Sequence, residues 1–170
     1  AISLGVSPSE RMIEIVIMSH TVELIEALIS TGKPVVLLVA SGRPLILTPY
    51  KDKVSALMLI WQMGSSAGHA VADLLTGGVS PSGHLTTSLP VCTGQIPIYY
   101  NHTNTGRPAL GRWPFESKYR DCQIPPLYPF GYGKSYTTFS YENITVSDNK
   151  MKKDGKLTVT LTVRNTGDFD

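Results

Sequence analysis

The residues best equipped for chemistry in this chain are its carboxylates, its serines in glycine-rich turns and its four histidines. Two carboxyl groups about 5 Å apart can cleave an acetal with retention of configuration, and a wider pair can do so with inversion. Ahead of residue 127 the acids are Glu10, Glu14, Glu23, Glu26, Asp52, Asp73, Glu116 and Asp121. Glu23 and Glu26 fall on the solvent side of a helical pattern. Glu10 lies in the loop after a first apolar stretch, residues 2–5, which reads as the end of a buried strand. That is the carboxyl end of a strand, where open α/β proteins place their ligands, so Glu10 is the candidate of greatest interest. No single pair of acids stands out by spacing.

Gly64-Ser65-Ser66-Ala67-Gly68 fits a nucleophile elbow between a predicted strand and a predicted helix, which makes Ser66 a candidate esterase nucleophile. Its partners by chain order are Asp73 and then His84 or His102, but Asp73 sits inside the helix that the elbow opens. The bland alternative is a small-residue turn that lets a helix start come close to a neighbour. Gly131-Tyr132-Gly133-Lys134-Ser135 ends like a phosphate-binding loop, yet Tyr128 stands where that pattern requires glycine and no helix follows, so the match is false. Cys92 and Cys122 could pair in an oxidising compartment. Two cysteines define no framework, though, and without a Cys/His cluster they read as free thiols rather than as a metal site. Asn101-His102-Thr103 and Asn143-Ile144-Thr145 match the N-glycosylation sequon, a weak signal relevant only to a secreted eukaryotic protein.

The elements that must position these groups follow from hydrophobic period. Ser19 or Thr21 offers an N-cap for a helix with an apolar stripe of Val22, Leu24, Ile25, Leu28 and Ile29, closed by Gly32 and Pro34. Residues 35–40 are continuously apolar and rich in β-branched side chains, as in a parallel strand covered on both faces. Residues 45–47 form a shorter extended piece, and 54–61 a second buried strand. Ala67, Ala70, Val71, Leu74 and Leu75 then mark a second helix, closing at Gly77-Gly78. The order β-α-β-β-α predicts an α/β fold, an open sandwich with a mostly parallel sheet. Residues 85–89 read as an edge strand stopped by Pro90. Residues 91–126 have no stable period, and so long a loop in a compact protein is usually functional or pinned to a neighbour.

The pattern changes at the aromatic run of residues 127–139, which reads as a hinge. Beyond it Leu157, Val159, Leu161 and Val163 alternate with Thr158, Thr160 and Thr162, the signature of a half-buried antiparallel strand. A lone hairpin is marginal in water, so the chain is expected to be a piece of a longer protein: residues 1–126 in the sandwich, 127–140 as hinge, and 141–170 as the first strands of an all-β domain. The net charge of +2 is unpatterned, which argues against nucleic acid as a partner. No apolar run approaches the ~20 residues of a membrane-spanning helix, so no membrane role is expected.

Seven motifs occur in order: Gly32-Lys33-Pro34-Val35-Val36, Ser41-Gly42-Arg43-Pro44-Leu45, Ala70-Val71-Ala72-Asp73-Leu74-Leu75, Ser80-Pro81-Ser82-Gly83, Gly94-Gln95-Ile96-Pro97-Ile98-Tyr99-Tyr100-Asn101-His102, Asn104-Thr105-Gly106-Arg107-Pro108 and the run 127–139. Together they closely resemble the C-terminal α/β sandwich domain of family 3 glycoside hydrolases of the bacterial β-glucosidase type. Residues 159–167 resemble the start of the fibronectin type III-like domain that follows it. The resemblance implies a retaining, exo-acting glycosidase on β-linked glucosides or oligosaccharides, needing no cofactor and no metal, placed in the periplasm or outside the cell. Its aspartate nucleophile would come from a preceding (β/α)8 barrel. The acid/base glutamate of such enzymes stands on a loop like the one ahead of Met12, four residues before an arginine. Arg11 fits that arginine, but Ser7 holds the glutamate's place, so the role passes to Glu10 beside it. Ser65-Ser66 likewise stand where the family usually has two glutamates. The alternative the departure favours is a non-catalytic carbohydrate-binding or structural module of the same fold.

Overall fold

The computed structural model describes residues 13–16, 22–103, 106–109 and 114–169, the first of these as backbone only. The first strand proposed from sequence (2–5), the N-cap residues Ser19 and Thr21, and Glu10, Ser7 and Arg11 lie outside the described residues. Among the described residues, five strands and two α-helices follow one another as β1 (Ile13–Val16), α1 (Val22–Ser30), β2 (Val35–Val39), β3 (Ala56–Leu59), α2 (Ala67–Leu75), β4 (Phe139–Val146) and β5 (Val159–Asn165). The strand β1 falls on Ile-Glu-Ile-Val, too short and too mixed for a periodicity to announce it.

β1, β2 and β3 form one sheet in that order, with both pairings parallel and Leu37 in register with Ile15 and Leu57. All five residues of β2 are buried, because each face of the sheet carries a layer. Val35, Leu37 and Val39 pack with Ile25 of α1, Leu47, Tyr50 and Leu57, while Val36 and Leu38 pack with Ala56, Met58 and Val71 of α2. The helices therefore lie on opposite faces, and the α/β sandwich expected from the sequence is present. α1 ends as its residues dictate: Gly32 adopts φ +70°, a region costly for any residue with a Cβ, and Pro34 leads into β2. Of its apolar stripe only Ile25 is fully buried. Leu28 and Ile29 pack partly, and Val22 and Leu24 face outward.

Three outcomes bear on the expected elements. Residues 45–47, read as a short extended piece, pair with no strand among the described residues. They lead into a turn in which the amides of Tyr50 and Lys51 donate to Leu47 O, and Leu47 is buried as a plug under the sheet rather than paired with it. Residues 85–89 do not extend the sheet either. They run antiparallel to 127–132, tied by Leu85 N to Tyr132 O (2.8 Å), Gly131 N to Leu85 O (2.7 Å), Leu89 N to Tyr128 O (2.8 Å) and Leu127 N to Leu89 O (2.8 Å). Their apolar residues, Leu85 and Leu89, are buried against the α1 face of the core. The third concerns β5, which does pair antiparallel with β4 but is exposed along its whole length, so it is not half-buried among the described residues.

The aromatic run splits its side chains between two environments. Tyr128 and Tyr132 meet with rings tilted by 35° at 4.8 Å between centroids and pack on the sandwich core. Tyr136 donates its hydroxyl to Leu74 O at 2.7 Å, at the end of α2, and its ring meets Phe169. Phe130 and Phe139 are about half exposed, although Phe130 stacks on Tyr100 at 4.2 Å. Gly133 is glycine for a steric reason: a Cβ there would stand 2.7 Å from His84 Nδ1 and 2.9 Å from Gly83 O.

Candidate functional site

The carboxyl ends of β2 and β3 open onto one apron of loops. After β2, Ser41 closes a tight turn on Arg43, its Oγ accepting from Arg43 N at 3.2 Å and donating to Arg43 O at 2.9 Å. Gly42 lies so close to the Gln62 amide that a Cβ would sit 3.0 Å from Nε2. After β3, Trp61 takes φ +50°, a left-handed backbone that a bulky residue adopts only under constraint from its surroundings. Its indole packs partly on the core. Beside this strain a groove of about 670 Å³ runs between α2 and residues 79–86, with Trp61, Met63, Asp73, Ser82, His84 and Thr86 among its walls.

Of the described site candidates, Asp73 and His84 share this groove, and Ser66 is not among the residues that line it. Glu10 lies outside the described residues. Ser66 is the residue before the first turn of α2, as the elbow motif requires, but its φ of −89° is unstrained and its hydroxyl makes no capping bond. No hydrogen bond joins it to a histidine among the described residues, and His84 instead holds Gly131 O through Nδ1 at 2.8 Å. The esterase arrangement is thus not assembled; the small residues form a plain turn into the helix, with Ala67 N on Gly64 O. Two carboxylates form surface ion pairs: Glu26 with Lys53 at 3.0 Å and Asp52 with Lys51 at 2.9 Å, a bond that raises the Lys51 ammonium above its ordinary value. No group of three or more His, Cys, Asp or Glu that could hold a metal occurs among the described residues.

What the sequence reading passed over is Gln95. It is fully buried inside the long loop, where the 3-10 turn Thr93–Gln95 presents it to a second strand of loop. Its Nε2 donates toward the carbonyls of Gln123, Ile124 and Pro125 at 3.0–3.1 Å, and its Oε1 accepts from Val91 N at 2.7 Å. Tyr119 adds a bond from its hydroxyl to Gln95 O at 3.1 Å. One side chain thereby fastens both ends of the segment 91–125 to each other, so the loop is held from within. The signal was its place in Gly94-Gln95-Ile96-Pro97, an amide flanked by turn-formers in an aperiodic stretch. The fastened segment carries Tyr99 and His102 at a cavity of about 500 Å³, walled also by Tyr119, Ile124 and Pro126.

Three ionisable groups are shifted by this packing. Burial raises the phenols of Tyr128 and Tyr136 above their ordinary range, with Tyr132 adding to the effect at Tyr128. The Cys122 thiol is pushed up to about 11, first by desolvation and then by its hydrogen bond to Cys92.

Comparison with known proteins matches residues 12–136 to the glycosyl hydrolase family 3 C-terminal domain. The chain is 48% identical over 147 residues to a periplasmic beta-glucosidase of Salmonella typhimurium, covering 85% of this chain and 19% of that protein. It is 38% identical over 149 residues to a beta-xylosidase of Formosa agariphila, again across 85% of this chain and 19% of the relative. The crystal structure of beta-glucosidase from Listeria innocua in complex with gluconolactone superposes with a TM-score of 0.81 at 39% identity, covering 86% of this chain and 21% of that one. The chain thus spans about a fifth of the length of the curated relatives it matches.

Proposed function

Because this chain belongs to the glycosyl hydrolase family 3 C-terminal domain family, we propose that it is the sandwich portion of a retaining, exo-acting β-glucosidase working on β-linked glucosides or oligosaccharides. The observation that carries the reading is the single ordered match, 48% identical across most of the chain, to a protein named for that activity. In this proposal the domain supplies the proton donor and a preceding (β/α)8 barrel supplies the aspartate nucleophile. Two carboxyl groups then converge on one glycosidic bond: one attacks the anomeric carbon while the other protonates the departing oxygen, then deprotonates the water that frees the sugar. Glu10 is the residue proposed for the second role, because the resemblance sets the acid/base glutamate near an arginine in this part of the sequence and Glu10 adjoins Arg11. The name of the Salmonella relative further supports a periplasmic or extracellular place for the protein.

The test is the full-length protein carrying Glu10→Ala. A missing general acid hurts poor leaving groups most, so turnover of cellobiose should fall by about 10²–10⁴-fold. Loss on dinitrophenyl β-glucoside should be far smaller, and azide should restore the second step. Equal activity of variant and parent on cellobiose would remove Glu10 from the mechanism. The Formosa relative favours a second reading, action on β-xylosides, and a comparison of 4-nitrophenyl β-glucoside with the β-xyloside decides between the two sugars.

A further inference from the structure

The two cysteines are thirty residues apart in sequence, and one buried side chain, Gln95, bonds the backbone next to each of them. Cys92 stands at the head of the turn Thr93–Gln95, with Gln95 N donating to Cys92 O at 3.1 Å. Val91, before it, is held twice, by Thr48 Oγ1 on its carbonyl at 2.7 Å and by Gln95 Oε1 on its amide. Cys122 immediately precedes Gln123, the first of the three carbonyls gripped by the Gln95 amide. The backbone beside each cysteine is thus anchored by the same buried side chain, and both thiols remain only partly covered.

We propose that Cys92 and Cys122 are a disulfide site that closes over residues 93–121 whenever the protein meets a disulfide oxidant such as oxidised glutathione. One cysteine thiolate attacks a glutathione sulfur, expelling one glutathione thiolate and leaving a mixed disulfide on the protein. The other cysteine gives its proton to solvent and attacks that protein-bound sulfur, expelling the second glutathione. The protein loses two hydrogens and two electrons, and the glutathione disulfide gains them as two thiols. Because Gln95 holds the backbone beside both cysteines, the two thiols are presented to each other across the loop rather than having to meet by chance. The raised Cys122 thiol is protonated at neutral pH, so closure quickens as pH rises. The bond would staple the segment that carries Tyr99 and His102 independently of the Gln95 clamp. The proposal relies on the extracytoplasmic reading above only for where in the cell the bond forms.

The experiment uses the full-length protein in a mixture of reduced and oxidised glutathione, quenched with acid, alkylated and digested with trypsin without reduction. The expected product is one species joining the peptide of residues 121–134 to the peptide that contains Cys92, lighter than the sum of the two by two hydrogens. Trypsin should also cleave native protein after Lys118 and Arg120 at least about tenfold more slowly once it is oxidised. That protection should be absent from Cys92→Ser and Cys122→Ser, which should instead carry a single glutathione each. Independent alkylation or separate glutathionylation of both cysteines in the parent would overturn the proposal. Closure in glutathione with free thiols in protein taken directly from cells would support the site and overturn the extracytoplasmic placement.

Discussion

Gln95 shows how much one buried neutral side chain can organise when it bonds several backbone atoms at once. Its amide faces three carbonyls and its oxygen faces one N–H, so charge matters more than size at this position. Gln95→Glu is nearly isosteric, but an ionised carboxylate cannot donate and would be repelled by the carbonyls. The folded state should therefore raise the pKa of the new carboxyl. The sign is fixed: the contribution is intact below the unfolded value of about 4.3 and is lost as pH rises through the folded one. The variant should unfold near the parental temperature at pH 4 and well below it at pH 7, as calorimetry at the two pH values would show. Equal losses at both would mean that the loop is held by something else.

At the scale of elements, the sheet was the most legible part of the chain and the connections were the least. β2 could be read because five apolar residues in a row, bounded by Pro34 and a glycine turn, have few alternatives to a doubly covered strand. β1 could not, since four residues containing Glu14 carry no clear period. Residues 85–89 misled because apolar alternation reports a buried extended segment without naming its partner; here the partner is 127–132. Glu10 was singled out by position and resemblance, whereas Gln95 was missed because its partners are backbone carbonyls, which leave no mark in sequence.

The junction between α2 and the aromatic run offers a test at the same scale. Tyr136→Phe removes the hydroxyl from Leu74 O, a loss of about 0.5–1.5 kcal/mol at neutral pH. Burial raises the folded Tyr136 phenol above its unfolded value near 10, so its stabilisation holds below about pH 10 and fades as pH rises further. Thermal midpoints measured from pH 8 to 11 should fall more steeply above pH 10 for the parent than for Tyr136→Phe. Parallel curves would show that the phenol does not matter to alkaline unfolding.

At the scale of the whole molecule, the exposed face of the β4–β5 pair is the feature that the described residues leave unaccounted for. Tyr141 lies opposite Val163, and Val159, Leu161 and Val163 share that side by strand alternation; every one of them is exposed. Such a face belongs under other strands, which supports reading β4 and β5 as the opening of a fibronectin type III-like domain in the full-length protein. Val163→Lys should then make the isolated 170-residue chain more soluble while lowering the stability of the full-length protein, and a gain in both would argue against burial. The same incompleteness applies to catalysis, for a retaining mechanism needs two converging carboxyl groups and this chain is proposed to bring one. The 170-residue chain should accordingly release no nitrophenol from 4-nitrophenyl β-glucoside. The most direct test of the account is proton NMR of the full-length protein acting on that substrate, recorded before the sugar mutarotates. The account predicts that β-glucose appears first; α-glucose appearing first, or no glucose at all, would contradict it.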